Sequence, residues 1–302
     1  MTPNHATALA LLAALAWGVG NVAQKTILEH LDGFAATGVT SLVGVLVLLP
    51  LALREGRETR PPTRGSLPLL LAVSLLFTIA STVMQFGYGL TSVINGGFLV
   101  NSAAIVTPIL GWVCLSQRPP LAIWPASLTA LTGIYLMAGA NWSGLNPGDL
   151  LALLSAVGYA AWTLAVGMYV MRYRRPVLMT VVQLGVCGLL CIGLGAAFHG
   201  LPAPAAVAAA LPEILFLGLV SKGLAYVLIA IAQQQISATC VGILVCGEAV
   251  AGAVIAALVL GETMGAQRGI GSICIILGVV IAARIPAALP DKQTATATGS
   301  SS

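Results

Sequence analysis

The sequence has very few charged residues. Only 7% of its 302 residues are Asp, Glu, Lys or Arg, whereas 58% are hydrophobic. A soluble domain has about 25% charged residues, so this chain cannot cover a water-exposed surface and is predicted to be an integral membrane protein. The net charge is only +4 and the basic residues gather in a few short loops, which excludes the extended basic surface of a nucleic-acid-binding protein.

Catalytic and metal-binding patterns are also lacking. The sequence contains no DDxxD, HExxH or Walker A motif, and its three histidines lie in end or loop positions. Its six cysteines form no CxxC pair and no zinc-ligand spacing, so they are expected to be packing residues, although Cys187 and Cys191 can face one partner on a helix. Neither a cofactor nor a metal is predicted, ATP-driven pumping within this chain is excluded, and a membrane enzyme is a distant alternative.

Long apolar runs predict ten transmembrane helices, because about 20 such residues span a bilayer. The runs cover residues 6–24, 34–53, 68–90, 92–116, 121–140, 149–170, 177–198, 212–233, 236–260 and 266–284. Two of the separators, TSVING and QQQISAT, are thin, but the blocks around them are too long for single helices. The opening MTPNHAT has no basic segment, so the first run is expected to be a retained helix rather than a signal peptide.

Basic residues are distributed unevenly between the two sides of these predicted helices. One side receives ten of the 13, namely Arg54, Arg57, Arg60, Arg64, Arg118, Arg172, Arg174, Arg175, Arg284 and Lys292. The other side receives only Lys25 and Arg268. Cytoplasmic loops are enriched in Lys and Arg, so both termini are predicted to lie in the cytoplasm.

The sequence repeats itself weakly. LALLAALAWGVG (residues 9–20) aligns with LALLSAVGYAAW (151–162) at an offset of 142, with five of twelve positions identical. At an offset of 145, Ser92 aligns with Ser237 and Gly133 with Gly278. Each half holds five predicted helices, an odd number, so the halves are predicted to be inverted relative to each other. Such repeats are typical of transporters with a substrate site near the midplane.

Segments in both halves resemble a known family. AVAGAVIAALVLGETMGAQRGIGSICIILGVVIA (249–282) resembles the closing motif of the drug/metabolite transporter superfamily, EamA type. TPILGWVCLSQRPPLAIWPASLTALTGIYLM (107–137) resembles it less closely, with Gln117 in place of the acidic residue, and AALAWGVGNVAQK (13–25) resembles the family's first helix. Within the superfamily the chain is most similar to the bacterial aromatic amino acid exporters.

This resemblance implies a fold, an activity and a location. It implies two EamA-like repeats, residues 1–145 and 146–285, followed by a cytoplasmic tail over 286–302 that its composition predicts to be disordered. It also implies export of amino acids and related small metabolites by alternating access across a bacterial inner membrane. The alternatives are a multidrug exporter of lipophilic cations and, more distantly, a non-transporting receptor or subunit. The oligomeric state is open, and a monomer is one possibility.

Two ionisable residues are predicted to lie at the middle of the membrane, where such residues are functional candidates. Lys222 and Glu248 are each 13 residues from position 235, the expected turn of a helical hairpin, which is roughly 19 Å of helix. They can therefore pair across the hairpin. The pair is interpreted either as a structural strut or as a substrate site in which Lys222 binds a carboxylate.

Polar and aromatic side chains at helical spacing supply the other candidate substrate-binding residues. They are Trp17, Asn21, Thr78, Ser81, Gln85, Asn101, Tyr159, Trp162, Thr163 and Tyr226. Trp17 and Trp162 lie mid-helix rather than in the interfacial belt, which favours an aromatic or apolar substrate, although such rings can also be core packing. Tyr226 is one turn beyond Lys222 and is expected on the same face.

A hinge is predicted where two corresponding helices are weakened at corresponding depth. Pro108 is expected to interrupt the fourth helix, since proline removes a backbone hydrogen bond. At the offset of 145, its neighbour Thr107 aligns with Gly252 of the ninth helix, which leaves the backbone permissive.

Overall fold

The computed structural model describes residues 1–58, 64–137, 146–260 and 265–285, and within this part of the chain the regular structure is entirely helical. The helices are α1 (Pro3–Thr26), α2 (Gly33–Glu58), α3 (Leu67–Leu90), α4 (Val93–Val100), α5 (Ala103–Leu115), α6 (Ile123–Met137), α7 (Pro147–Tyr173), α8 (Pro176–Phe198), α9 (Pro204–Ala209), α10 (Leu211–Phe216), α11 (Ala225–Ala232), α12 (Ala238–Val245), α13 (Gly247–Leu260) and α14 (Ala266–Ala283). A π-helical segment, Leu217–Leu224, joins α10 to α11.

Eight helical stretches of the described residues are long and apolar enough to cross a membrane. Two further apolar helices, Ile123–Met137 and Ala238–Gly252, are shorter. The observed helices match the predicted runs closely, and both thin separators do divide one helix from the next. The predicted tail over 286–302, together with Arg60 and Lys292, lies outside the described residues.

Local sequence signals explain several helix starts. Asn146 and Asp149 form a capping box at the start of α7, because each side chain accepts a hydrogen bond from the other residue's backbone N–H. Ser92 and Ser237 cap α4 and α12 in the same way as each other, each accepting a hydrogen bond from the N–H three residues later. These caps satisfy N–H groups that a helix end leaves without partners.

Two of the predicted transmembrane helices are broken near their middle. The fourth is divided between α4 and α5 at Asn101–Ser102, and the ninth between α12 and α13 at Cys246. The expected interruption at Pro108 is wrong, because α5 continues through this residue. Proline leaves the carbonyl four residues earlier, that of Ala104, without its usual donor, and the Ser127 hydroxyl of α6 donates a hydrogen bond to it at 3.1 Å.

The most extensive packing joins helices from opposite halves of the sequence. α2 packs against α8, α3 against α7, α6 against α14, and α1 against α13. The Glu55 carboxylate near the end of α2 accepts hydrogen bonds from the backbone N–H groups of Val177 and Leu178, at 3.2 and 2.7 Å, at the start of α8. The core therefore forms mainly between residues before position 138 and residues after position 145.

Glycines allow a close crossing between α6 and α14. A Cβ on Gly271 would lie 2.6 Å from the Gly133 carbonyl oxygen, and one on Gly133 would lie 2.5 Å from the Gly271 carbonyl oxygen. Further along, a Cβ on Gly278 would lie 2.7 Å from the Ala126 carbonyl oxygen. The earlier residue of α6, Ala126, contacts the later residue of α14, Gly278, so the two helices are antiparallel.

Gly271→Ala is expected to destabilise the protein, because the added methyl group meets backbone atoms that no rotamer change can move. Overpacking typically costs about 1–3 kcal/mol, and a clash with backbone belongs at the upper end of that range. Gly269→Ala on the same helix is the matched control, since its Cβ would have no neighbour within 4 Å. Thermal unfolding in detergent measures both variants, and equal melting temperatures would contradict the close crossing.

Candidate functional site

A cavity of about 90 Å³ lies among α1, α3, α4, α5, α7, α11, α12 and α13, which is room for several water molecules. Its wall contains eight of the twelve residues that the sequence predicts for substrate binding. They are Trp17, Asn21, Asn101, Tyr159, Trp162, Thr163, Tyr226 and Glu248. The cavity also meets the break between α4 and α5, where Asn101 lies.

One side of this cavity is aromatic. The ring of Tyr226 packs against Trp17, Phe77 and Trp162, with centroid separations of 4.9, 4.8 and 5.3 Å. Tyr159 packs edge-on against Trp162 at 6.2 Å. Four of these rings, those of Trp17, Tyr159, Trp162 and Tyr226, line the cavity, and we call them the aromatic wall; Phe77 supports it through Tyr226. Offset and edge-to-face geometries of this kind stabilise ring pairs beyond the area that they bury, so the wall is a preformed surface.

The indole N–H groups of the aromatic wall are held by polar partners. Trp17 Nε1 donates a hydrogen bond to the Ser221 carbonyl at 2.9 Å, and Trp162 Nε1 donates one to Gln183 Oε1 at 2.9 Å. Buried indole groups usually find such partners. Each ring therefore has a fixed orientation at the cavity wall.

The cavity lining also includes a carboxylate. Glu248 is buried, and its Oε1 accepts a hydrogen bond from Asn101 Nδ2 at 2.8 Å. The Asn21 side chain also lies beside this carboxylate. Among the described residues that line the cavity, Glu248 is the carboxylate and no lysine, arginine or histidine accompanies it. A buried acid held by two neutral amides can bind a cationic or ammonium group.

Four predicted residues lie outside the cavity wall. The Thr78 hydroxyl donates to the Ser74 carbonyl at 2.8 Å, and Gln85 Nε2 donates to the Gln24 carbonyl at 2.8 Å. Ser81 hydrogen-bonds to Tyr159. Their polar groups thus bond to neighbouring helical residues, and Ser81 and Gln85 support residues that line the cavity. The fourth residue is Lys222.

The expected pairing of Lys222 with Glu248 is wrong. Lys222 Nζ donates hydrogen bonds to the Thr37 carbonyl at 3.1 Å and to Ser41 Oγ at 2.9 Å, both on α2. Equal depth in a hairpin does not place two side chains on facing surfaces, and α1 lies between them. Trp17 bonds to the Ser221 carbonyl, and a Cβ on Gly18 would lie 2.5 Å from the Glu248 carbonyl.

The π-helical segment explains why Lys222 and Tyr226 do not share a face. Its end is marked by the N–H of Ala225, which bonds to the carbonyl of Val220, five residues earlier. A π turn contains more residues than an α turn, so α-helical spacing mispredicts the relative direction of the two side chains. Tyr226 joins the aromatic wall, whereas Lys222 faces α2.

Lys222 belongs to a buried polar cluster behind the aromatic wall. The Ser41 hydroxyl lies 3.5 Å from Cys187 Sγ, and Thr82 Oγ1 lies 3.2 Å from Cys191 Sγ. Cys187 and Cys191 also hydrogen-bond to each other, so they face one set of partners as their spacing allows. The cluster connects α2, α3, α8 and the π-helical segment, which gives the buried ammonium group polar surroundings.

Gly252 is a close-packing glycine rather than a permissive weak point. It lies in α13 at the crossing with α1, where its Cβ would be 3.3 Å from the Gly18 carbonyl oxygen. Pro108, its predicted counterpart, lies inside a continuous helix. The breaks at Asn101 and Cys246 are the interruptions at corresponding depth, because these positions differ by 145 and Cys246 Sγ lies 4.0 Å from the Asn101 carbonyl.

Sequence reasoning missed other residues of the cavity wall. Tyr88 lines the cavity. It lies three residues after Gln85, at the same helical spacing as Thr78, Ser81 and Gln85 on α3, and this spacing could have identified it. Gln24 follows Trp17 and Asn21 at helical spacing on α1, as the sequence indicates, and it also lines the cavity. Val241, Gly242 and Val245 also line the cavity, but apolar residues in an apolar helix offer no such signal.

A double-mutant cycle can test the separation of Lys222 from Glu248. The effects of Lys222→Met and Glu248→Gln on the free energy of unfolding are expected to add within about 0.5 kcal/mol, as for residues with no shared partner. Unfolding in detergent measures the four proteins of the cycle. A coupling energy well above about 1 kcal/mol would show that Lys222 and Glu248 interact and would contradict their separation.

Comparison with known proteins gives the family. The sequence profile of the EamA-like transporter family matches twice, over residues 5–139 and 146–284. The chain belongs to this family. The sequence resemblance to EamA-type transporters is thus confirmed at family level, and the protein is a multi-pass membrane transporter rather than an enzyme.

Three relatives are each described as an uncharacterized transporter. One, from Archaeoglobus fulgidus, is 24% identical over 57% of this chain, and the match spans only 52% of that relative. One from Methanothermobacter thermautotrophicus is 25% identical over 76% of this chain and 68% of its own. YwfM of Bacillus subtilis is 23% identical over 95% of this chain and 96% of its own.

A solved crystal structure has the same fold. It superposes with a TM-score of 0.76 at 18% sequence identity, covering 92% of this chain and 96% of the other. At this identity the likeness is one of fold alone. The described helices therefore follow an architecture that has been observed by experiment.

Proposed function

We propose that this EamA-family transporter exports aromatic and other apolar amino acids, with related small metabolites, by alternating access. The observation that carries the proposal is the cavity, whose lining combines the aromatic wall with a buried carboxylate, Glu248. The side chain of an aromatic amino acid packs against the wall, and its ammonium group binds Glu248 between Asn21 and Asn101. Thr163 and Tyr159 complete the contacts, and Ser81 and Gln85 support them from behind.

Lys222 has a different role in this proposal. It stabilises the contact of the π-helical segment with α2 through Thr37 and Ser41, and it does not contact substrate in this state. Moving substrate past the aromatic wall requires the wall to open. The helix breaks at Asn101 and Cys246, together with the crossing at Gly252, are the proposed moving parts, whereas Pro108 is braced by Ser127.

Pseudo-symmetry supports two inverted five-helix repeats, residues 1–145 and 146–285, and hence ten transmembrane helices. Ser92 and Ser237, which differ by 145, have equivalent capping roles. The α6–α14 crossing is reciprocal at the same offset: Gly133 meets Gly271, and Gly278 meets Ala126. Equivalent helices that cross antiparallel are what an inverted repeat requires, and the family profile matches the two halves separately.

Export also needs an orientation, which we propose has both termini in the cytoplasm of a bacterial inner membrane. Arg172→Cys, at the exposed end of α7, is expected to react with an impermeant maleimide only after the cytoplasmic face is opened. His199→Cys, at the exposed end of α8, is expected to react in intact cells. Cys114, the exposed native cysteine, is first replaced by Ser. The opposite labelling pattern would contradict the proposed orientation and the export direction that depends on it.

A second candidate substrate class is the lipophilic cation. It is favoured by one observation, namely that the described lining of the cavity contains an acid, Glu248, and no basic residue. An aromatic cation with delocalised charge can pack against the aromatic wall by cation–π contacts. This candidate needs no group that binds a carboxylate.

Proteoliposomes that contain only this protein distinguish the candidates. Labelled phenylalanine and tryptophan are expected to move down their own gradients, and a labelled aromatic amine is expected to compete. If only lipophilic cations such as tetraphenylphosphonium move, the second candidate replaces the first. If no compound of either class moves although the purified protein is folded, the proposed substrate range is wrong.

A further inference from the structure

A second pocket, of about 120 Å³, is lined by α7, by the turn between α11 and α12 with the first residue of α12, and by Gln117 just after α5. We call it the glutamine pocket, because three glutamines line it: Gln117, Gln233 and Gln235. Met168 and Met171 provide apolar wall, and flexible thioethers adapt to differently shaped ligands. It lies at the end that carries Arg118 and Arg172, which is cytoplasmic in the proposed orientation.

Gln233 is the unusual member of the glutamine pocket. Its side chain is only 1% exposed, and neither Oε1 nor Nε2 has a hydrogen-bond partner in the described structure. A buried primary amide without partners costs free energy, so a pocket that keeps one is suited to a ligand that bonds to it. The amide offers a donor and an acceptor side by side.

The N-terminus of α12 reaches the same pocket. Ser237 and Ala238, the cap and first residue of this eight-residue helix, both line it. A helix N-terminus favours a carboxylate through its N–H groups and its dipole. The Ser237 hydroxyl caps the Cys240 N–H, which leaves the N–H groups of Ala238 and Thr239 for a ligand. No charged side chain of the described residues lines the pocket. A net cation would therefore find no counter-charge there, whereas a zwitterion brings both charges with it.

The glutamine pocket continues the central cavity along three helices. Thr163, Ile229 and Gly242 line the cavity, and residues four positions away on the same helices, Gly167, Gln233 and Ala238, line the pocket. Four residues are about one helical turn, or roughly 6 Å. α5 and α12 touch between the two, since a Cβ on Gly242 would lie 3.4 Å from Thr107 Oγ1.

We propose that the glutamine pocket is a second substrate site, which receives the amino-acid zwitterion before it enters the central cavity. Gln233 Nε2 and the N-terminus of α12 bind the carboxylate, and Gln233 Oε1 accepts a hydrogen bond from the ammonium group. This inference rests on the proposed function, because it takes an α-amino acid as substrate. It adds a selection step that a lipophilic amine or cation does not pass.

Equilibrium dialysis of the purified, detergent-solubilised protein against labelled phenylalanine tests the proposal. The wild-type protein is expected to bind two molecules. Gln233→Leu is expected to weaken the binding of one of these two molecules by at least about tenfold, because hydrogen bonds to charged groups are lost. Glu248→Gln is expected to lose the other. Phenethylamine, which lacks the carboxylate, is expected to bind once in the wild-type protein.

Matched variants separate the site from a folding effect. Gln234→Leu leaves the pocket lining unchanged and is expected to bind two molecules. Gly167→Leu is expected to fill the pocket, because even a Cβ there would lie 3.2 Å from Gln233 Oε1, and so it provides a second test if Gln233→Leu does not fold. One bound molecule that is insensitive to both pocket variants would overturn this inference and leave the proposed function standing. No binding of phenylalanine at all would contradict both this inference and the proposed function.

Discussion

Glu248→Gln is expected to reduce kcat/KM for aromatic amino acids by about 10- to 100-fold, the loss of one hydrogen bond to a charged group that contributes roughly 1.5–3 kcal/mol. The substitution keeps the size of the side chain and a partner for Asn101, whose bond to Glu248 is 2.8 Å long. It removes the negative charge that faces the ammonium group. Initial rates in proteoliposomes over a range of substrate concentrations measure the effect.

Two controls make the Glu248→Gln result specific. Glu213→Gln changes a half-buried carboxylate that does not line the cavity. It is expected to leave transport within about twofold, because the amide oxygen of Gln can accept the hydrogen bond that Thr26 donates to Glu213. The second control is a deaminated substrate, phenylpropionate. It lacks the ammonium group that Glu248 is proposed to bind, so its transport should not depend on the Glu248 charge. If Glu248→Gln transports phenylalanine at the wild-type rate, Glu248 does not bind substrate.

Gly18→Ala is expected to have the largest effect on stability, with a loss of transport that follows from it. The added Cβ would lie 2.5 Å from the Glu248 carbonyl oxygen and 2.9 Å from the backbone nitrogen of Gly252. Because both are backbone atoms, α1 and α13 must separate. The cost is expected to reach or exceed the roughly 1–3 kcal/mol of ordinary overpacking, and Glu248 is expected to move away from Asn21.

The glycines of α13 provide graded controls for Gly18→Ala. At Gly252 a Cβ would be 3.3 Å from its nearest neighbour, and at Gly247 it would be 4.0 Å away. Melting temperatures in detergent are therefore expected to fall in the order Gly247→Ala, Gly252→Ala, Gly18→Ala, with the last lowest. If Gly18→Ala melts like Gly247→Ala, the close crossing does not exist in the membrane protein. Larger substitutions such as Gly252→Leu are expected to impair binding as well as turnover.

The sequence predicts the helices well because hydrocarbon imposes a simple requirement on length and polarity. It predicts the cavity residues of α1 and α7 well for a similar reason. A polar or aromatic side chain within an apolar helix has few places to lie, and Trp17 and Tyr159 are found where their spacing predicts. The apolar wall residues could not be predicted, since nothing in an apolar helix separates Val241 from a lipid-facing valine.

The failures arise where local geometry departs from a regular α-helix. The π-helical segment changes the direction in which the Lys222 side chain points, and no residue pattern in GLVSKGLAY predicts such a segment. The insertion of α1 between Lys222 and Glu248 is a tertiary arrangement that hairpin symmetry cannot reveal. The glutamine pocket was missed because QQQISAT was interpreted only as a thin separator, whereas Gln233 and Ser237 within it line a pocket.

The packing of helices from opposite halves has a consequence for how the protein is made. α1, α2, α3 and α6 are synthesised first, yet each has its most extensive contacts with a helix that leaves the ribosome later. Until then, Gly18 and Gly133 lack the backbone neighbours that they closely approach, those of Glu248 and Gly271, and the start of α8 is not there for Glu55 to bind. The first half is therefore an unfinished intermediate in the bilayer, which completes its core only when the last helix, α14, has been inserted.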